Sequence, residues 1–191
     1  MRTRPMRNLT RAIVGIGALL SATPVVAQVT DDSIKTNMAV LQSLVGDWSF
    51  VATFHARDGA VAFDDGNYRV RPILGGSYLE IDATLIPRAH ADQAHSFMEL
   101  ITFDPETKKF DITYFYSRSA LRVSAQGEFD PGKHDLNYAA YIPREDGVRN
   151  ENVHAVMQML DPDHLRYVHF SRYDDEAKET MDLQMDFTRA K

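Results

Sequence analysis

The sequence predicts an all-β protein: a single antiparallel up-and-down β-barrel of about ten strands, preceded by a short N-terminal helix. Three observations carry that prediction. From Trp48 to the C-terminus, apolar residues recur with period two, the signature of half-buried strands. The stretches between these runs are short and carry turn residues, with Asp104-Pro105, Asp130-Pro131 and Asp161-Pro162 recurring between them; short turns force neighbouring strands to be antiparallel. The chain has no cysteine, so apolar burial and sheet closure must hold the fold, and thiolate metal sites and cysteine nucleophiles are excluded.

The chain opens on Arg2, Arg4, Arg7 and Arg11 with no acidic residue. An uncharged stretch, Ala12 to Leu20, and the small residues of Ser21 to Ala27 follow. This order predicts a secretory signal peptide over residues 1–27, export to the periplasm or the medium, and a mature domain over 28–191. The apolar run is too short to span a bilayer, which takes about 20 residues. Removing the segment takes the basic total from 21 to 17 against 27 acids, a net charge of −10. That acidity argues against nucleic acid and anionic membrane as partners.

Thr30 to Val45 reads as a helix: Asp31 can cap it, Ile34, Met38, Leu41 and Val45 recur at helical spacing, and Gly46 stands where it should stop. Alternation then places Trp48, Phe50, Ala52 and Phe54 on one face of a first strand. Leu79, Ile81, Ala83 and Leu85 form a second such set, and Phe110, Ile112, Tyr114 and Tyr116 a third. Leu121, Val123, Ala125 and Gly127 follow, then Leu136, Tyr138, Ala140 and Ile142, and finally Met181, Leu183, Met185 and Phe187 against Asp182, Gln184 and Asp186. Further strands are expected near Tyr68–Leu74, Ser96–Phe103, Asn152–Leu160 and His164–Arg172. Closure would remove the unpaired edges and leave room for a ligand.

Leu41-x-x-Leu44-Val45-Gly46-Asp47-Trp48, Ile73-Leu74-Gly75-Gly76-Ser77-Tyr78-Leu79 and the Asp104-Pro105-x-x-x-Lys109-Phe110 hairpin together resemble a bacterial family of unknown function with a lipocalin-like barrel. The resemblance covers essentially the whole mature chain. It implies that fold and a small-molecule cavity, and it supplies no catalytic residues. Lipocalins more widely share Gly46-x-Trp48 at the first strand and an arginine at the last, here Arg189. The resemblance implies that Arg189 stacks on Trp48 at the closed end of the barrel. Parity agrees, because Arg189 falls in step with Met185 and Phe187; a guanidinium on an indole contributes roughly 0.5–2 kcal/mol.

Tyr114, Tyr116, Tyr138 and Tyr167 fall on inward parities and are candidates to line a pocket with hydrogen-bonding phenols. Met157 and Met185 join them, with Met159 and Met181 on the same apolar parity; methionine adapts to ligands of varied shape. His169 points inward if Arg166 and Arg172 mark the outer face, although Val168 and Phe170 blur that parity. A barrel-lining histidine is able to ligate haem iron, as in a distantly similar family of haem-binding barrels, but no second motif supports haem. His90 and His95, with Asp92, are five apart in a polar stretch, off the helical register for a metal pair, and read as a solvated loop. Glu80 and Asp82 share the face opposite Leu79 and Ile81 and read as solvent-facing rather than as an acid–base pair. Leu74-Gly75-Gly76-Ser77 lacks the lysine and helix of a phosphate loop and reads as a tight turn.

No hydrolase, zinc-protease or dinucleotide motif occurs. The expectation is therefore an exported barrel that binds a small apolar or amphipathic molecule, with no cofactor and no metal. The alternatives are an enzyme, a hydrolase or isomerase using polar groups of the same cavity, and a fully packed structural barrel. The presence of an interior cavity separates the packed barrel from the other two.

Overall fold

The computed structural model describes residues 31–118, 122–142 and 150–191. The expected signal segment, Leu121 and the side chain of Asp31 lie outside the described residues. Ten strands form one closed antiparallel barrel in which each strand pairs with its sequence neighbours and the first pairs with the last. In chain order they are β1 Gly46–His55, β2 Val61–Ile73, β3 Tyr78–Pro87, β4 His95–Asp104, β5 Lys109–Tyr116, β6 Arg122–Asp130, β7 Asp135–Ile142, β8 Glu151–Asp161, β9 His164–Tyr173 and β10 Thr180–Arg189. β2 begins well before the predicted Tyr68. Its first half carries Asp64 and Asp65, which hide the apolar alternation, and Asp65 is engaged by Arg88 at 2.6 Å.

The predicted helix is an α-helix, α1, only over Asp31–Met38; Ala39–Leu44 continues as a tighter 3-10 turn. Met38, Leu41 and Leu44 are all buried. Their spacing of three is the 3-10 period, at which side chains i and i+3 eclipse. The tightening therefore aims all three into one end of the barrel, closing it.

At that closed end, Arg189 pairs with Trp48 across the β1–β10 ladder, and its guanidinium lies 4.0 Å from the ring centroid. It also donates to the carbonyls of Val45 at 2.9 Å, Ser43 at 2.8 Å and Pro162 at 2.9 Å, while the Trp48 indole donates to Leu44 O at 2.8 Å. One side chain thus ties together the last strand, the 3-10 turn and the β8–β9 turn. Gly46 has a φ of +140°, and a Cβ there would stand 2.5 Å from Arg189 Nη1. Glycine is needed both for the backbone and for the arginine.

The three Asp-Pro turns all lie at the closed end. Asp104 accepts from the Glu106 amide at 2.8 Å, Asp130 from Gly132 at 2.9 Å, and Asp161 from Asp163 at 2.8 Å. Each aspartate closes its own turn, as the pattern predicts. The Thr107 hydroxyl, ahead of the Glu106 amide, holds the Asp104 carboxyl below its usual range, and the turn amides of Gly132 and Asp163 lead in lowering Asp130 and Asp161. Gly75 and Gly76 supply positive φ in the tight β2–β3 connection. Glu80 and Asp82 face outward to Arg71, at 3.6 and 2.5 Å. The opposite end of the barrel, at His55, His95, Tyr116 and Tyr173, is the open one. Among the described residues no helix is long and apolar enough to cross a membrane.

Candidate ligand cavity

The core packs toward the closed end, where Phe50, Phe187 and Tyr68 meet in tilted and edge-on contacts at centroid distances of 5.2 and 4.9 Å. Above them the interior opens into a cavity of about 590 Å³ reaching the open end. The packed-barrel alternative is thereby excluded. The volume falls within the range of small-molecule sites.

All seven pocket candidates from the sequence line this cavity: Tyr114, Tyr116, Tyr138, Tyr167, His169, Met157 and Met185. The tyrosines form a ladder across alternate strands. Tyr116 stacks on Tyr114 at 6.4 Å, the Tyr114 hydroxyl donates to the Tyr138 hydroxyl at 2.5 Å, and Tyr138 stacks on Tyr167 at 6.2 Å. The intervening strands make room with small residues, Ala125 on β6 and Ala155 on β8. Gly127 on β6 lies directly opposite Tyr138; a Cβ there would come within 2.7 Å of the Tyr138 Cβ. Burial pushes the phenols of Tyr68, Tyr114, Tyr138 and Tyr167 well above their ordinary range. They are neutral hydroxyls, not phenolates, at neutral pH.

His169 faces inward, so Val168 and Phe170 do not overturn the parity set by Arg166 and Arg172. Its Nδ1 lies 2.5 Å from Asp182 Oδ1, and the Ser171 hydroxyl donates to the other oxygen of the same carboxylate at 2.5 Å. Arg57 in turn donates to Ser171 Oγ at 3.1 Å. Burial raises the Asp182 carboxyl, but the bonds from His169 and Ser171 outweigh it and hold the group below its usual range.

Asp182 corrects the sequence reading, which put it on the outer face with Gln184 and Asp186. The β9–β10 register shifts between Met181 and Leu183. That bulge turns Asp182 into the cavity and pairs Met181 with Phe170, outside the lining. Met159 keeps the apolar parity and packs against the core, but toward the closed end rather than the cavity, where Ser43 Oγ contacts its sulfur. His95 is a second correction. It begins β4 and lines the cavity with Nδ1 buried and without a partner among the described residues, while His90 and Asp92 stay exposed. Among the described residues no cluster of three or more ligating side chains is placed for a metal.

Sequence reasoning missed Glu99, as it missed Arg57, Tyr68 and Glu151 in the same lining. Glu99 lies in the middle of β4, only 5 % exposed, between the inward Phe97 and Ile101, and lines the cavity. Burial raises its carboxyl to about 8. The signal was an acid on the parity of Phe97, Ile101 and Phe103, masked by Met98 and Leu100 on the other face of the strand.

A family model described as "Protein of unknown function (DUF1579)" matches residues 34–189. Among solved structures, an S-type phycobiliprotein lyase, CPES, from Guillardia theta has 7% sequence identity and a TM-score of 0.61, covering 83% of this chain and 94% of its own. Rv2717c from M. tuberculosis has 11% identity and a TM-score of 0.55, covering 81% and 97% respectively. At these identities the likeness is one of fold. No curated protein sequence matches the chain.

Proposed function

Because the chain belongs to the family described as "Protein of unknown function (DUF1579)", we propose from the cavity itself that it is an exported barrel that binds a small amphipathic molecule. The single observation that carries this reading is the open-ended interior of about 590 Å³, walled by aromatics and methionines and carrying a few buried polar groups. Such a composition, apolar walls with isolated hydrogen-bonding groups, is the usual build of a small-molecule site. A phycobiliprotein lyase on a similar barrel adds support by fold-level analogy alone. Export rests on the basic and apolar start of the sequence.

The test is titration with N-phenyl-1-naphthylamine, an uncharged fluorescent probe, together with native mass spectrometry of protein purified from its own host. Saturable uptake that Ala140→Trp abolishes at the cavity wall, in a protein that still unfolds cooperatively, supports the reading. Absence of uptake, or uptake indifferent to Ala140→Trp, overturns it.

A second reading is favoured by the pair of Asp182 and His169. With Nδ1 bonded to a carboxylate, a neutral imidazole presents Nε2 as a base on the cavity wall, an arrangement suited to activating water or abstracting a proton. Turnover of p-nitrophenyl butyrate that His169→Gln removes, with probe uptake intact, would establish it. Equal turnover by both proteins would sink it.

A further inference from the structure

Glu99 is a buried acid to which, among the described residues, no side chain gives an ion pair or a hydrogen bond. A buried carboxyl without a partner is costly to fold, and such groups in a cavity wall point to a partner that arrives with a ligand. A second unsatisfied group lies on the same wall: the Tyr68 hydroxyl, buried and also without a partner among the described residues. Tyr114 stands directly opposite Glu99 across the β4–β5 ladder. Rings continue around the wall, Tyr68 to Phe97 at 6.5 Å and Phe97 to Tyr116 at 6.2 Å.

We infer that this part of the cavity is a site for an organic ammonium group carried on an apolar body, with the Glu99 carboxylate as counter-ion and the rings of Tyr68, Phe97 and Tyr114 around it. The inference rests on the ligand-binding reading above and names the class of ligand.

The charges on the wall select among ligand types. The lining carries three carboxyl side chains, Glu99, Glu151 and Asp182, and one arginine, Arg57. Arg57 is already engaged by Glu176 at 3.1 Å, by Ser171, and by the Tyr173 ring at 4.5 Å. Besides Arg57 the described lining offers three histidines, His55, His95 and His169, of which His169 is bonded to Asp182, so an anionic ligand would meet more carboxyl groups than fixed cations. A neutral ligand would take hydrogen bonds from the phenols but gain nothing from the negative faces of the rings. An ammonium donates to the phenol oxygens and gains from the ring faces as well, since aromatic faces attract cations most strongly where water is excluded. Its cost includes ionising Glu99, about tenfold in affinity at pH 7 with the carboxyl at about 8, and the ion pair and the ring faces work against that cost.

The test displaces N-phenyl-1-naphthylamine with three naphthalene compounds of one shape: 2-naphthylmethylamine, 2-naphthalenemethanol and 2-naphthoic acid. The amine is expected to displace at a concentration at least tenfold below the alcohol, with the acid weakest. Glu99→Gln is expected to bring the amine level with the alcohol when both are measured against whatever affinity the variant keeps for the neutral probe, and cooperative unfolding in urea shows that the variant is folded. An alcohol or acid that equals the amine overturns the inference, as does an amine preference that survives Glu99→Gln, and in either case the cavity reading stands. Failure of the neutral probe itself overturns both.

Discussion

The Arg189 guanidinium lies 4.0 Å from the Trp48 ring centroid, and its Nη1 fills the space that a Cβ on Gly46 would claim. First strand, last strand and 3-10 turn thus share one side chain. Arg189→Ala removes the ring contact and leaves three carbonyl groups to find other partners, an expected loss of about 2–4 kcal/mol. Arg189→Lys keeps a charge but not the planar fork and should recover less than half of it. Urea denaturation of the three proteins measures both; a loss below about 1 kcal/mol for Arg189→Ala would show that the clasp does not hold the closed end.

Gly127→Ala tests how the tyrosine ladder is seated. The added methyl would meet Asn137 O at 2.6 Å and the Tyr138 Cβ at 2.7 Å, so β6 and β7 must separate or Tyr138 must move. The expected cost is about 1–3 kcal/mol, together with weaker uptake of the naphthylamine probe. Unchanged probe affinity would mean that the position of Tyr138 does not shape the cavity.

Glu99 gives stability a pH dependence of definite sign. Its carboxyl is raised by burial from 4.5 to about 8, so the folded protein holds a proton that the unfolded chain has released. The contribution is fully present below about pH 4.5, is lost as the pH rises through 8, and amounts to roughly 5 kcal/mol at most. The lowered aspartates act in the opposite window. Their contribution is present above about 3.8 and lost as the pH falls below it. Unfolding free energies at pH 5, 6.5 and 8 should therefore fall for the wild type and stay nearly level for Glu99→Gln. Parallel pH curves for the two would refute a buried neutral Glu99.

Asp182 should fix the tautomer of His169. Long-range ¹H–¹⁵N correlation spectra are expected to show Nδ1 protonated in the wild type at neutral pH, and a shift toward the Nε2–H form in Asp182→Ala. The same tautomer mixture in both proteins would mean that the carboxylate does not orient the ring.

The barrel was legible because alternation is strict where one face of a strand is dry. Trp48, Phe50 and Ala52, or Val123, Ala125 and Gly127, leave no second reading, and the ladder of tyrosines follows from parity alone. The placements of Asp182 and Glu99 were not legible in this way. Thr180 to Phe187 alternates without a flaw, yet a bulge at Met181 reverses the face of Asp182; a bulge depends on pairing with β9, which no single strand encodes. Glu99 was hidden for a different reason. Met98 and Leu100 are apolar on the outer face of β4, so the strand presents two apolar parities and an acid on either could pass for solvent-facing. The 3-10 tightening was masked too, since Met38, Leu41 and Leu44 satisfy a period of three within a stretch that also fits the α-helical spacing.

The pairing of β1 with β10 has a practical corollary. The chain enters the barrel at Gly46 and leaves it at Arg189, side by side at the sealed end, so an affinity tag, a fluorescent fusion or a surface linker joined after Lys191 starts out on the far side from the mouth. A sensor chip bearing the protein by that end would present every molecule with its opening toward the flowing solution.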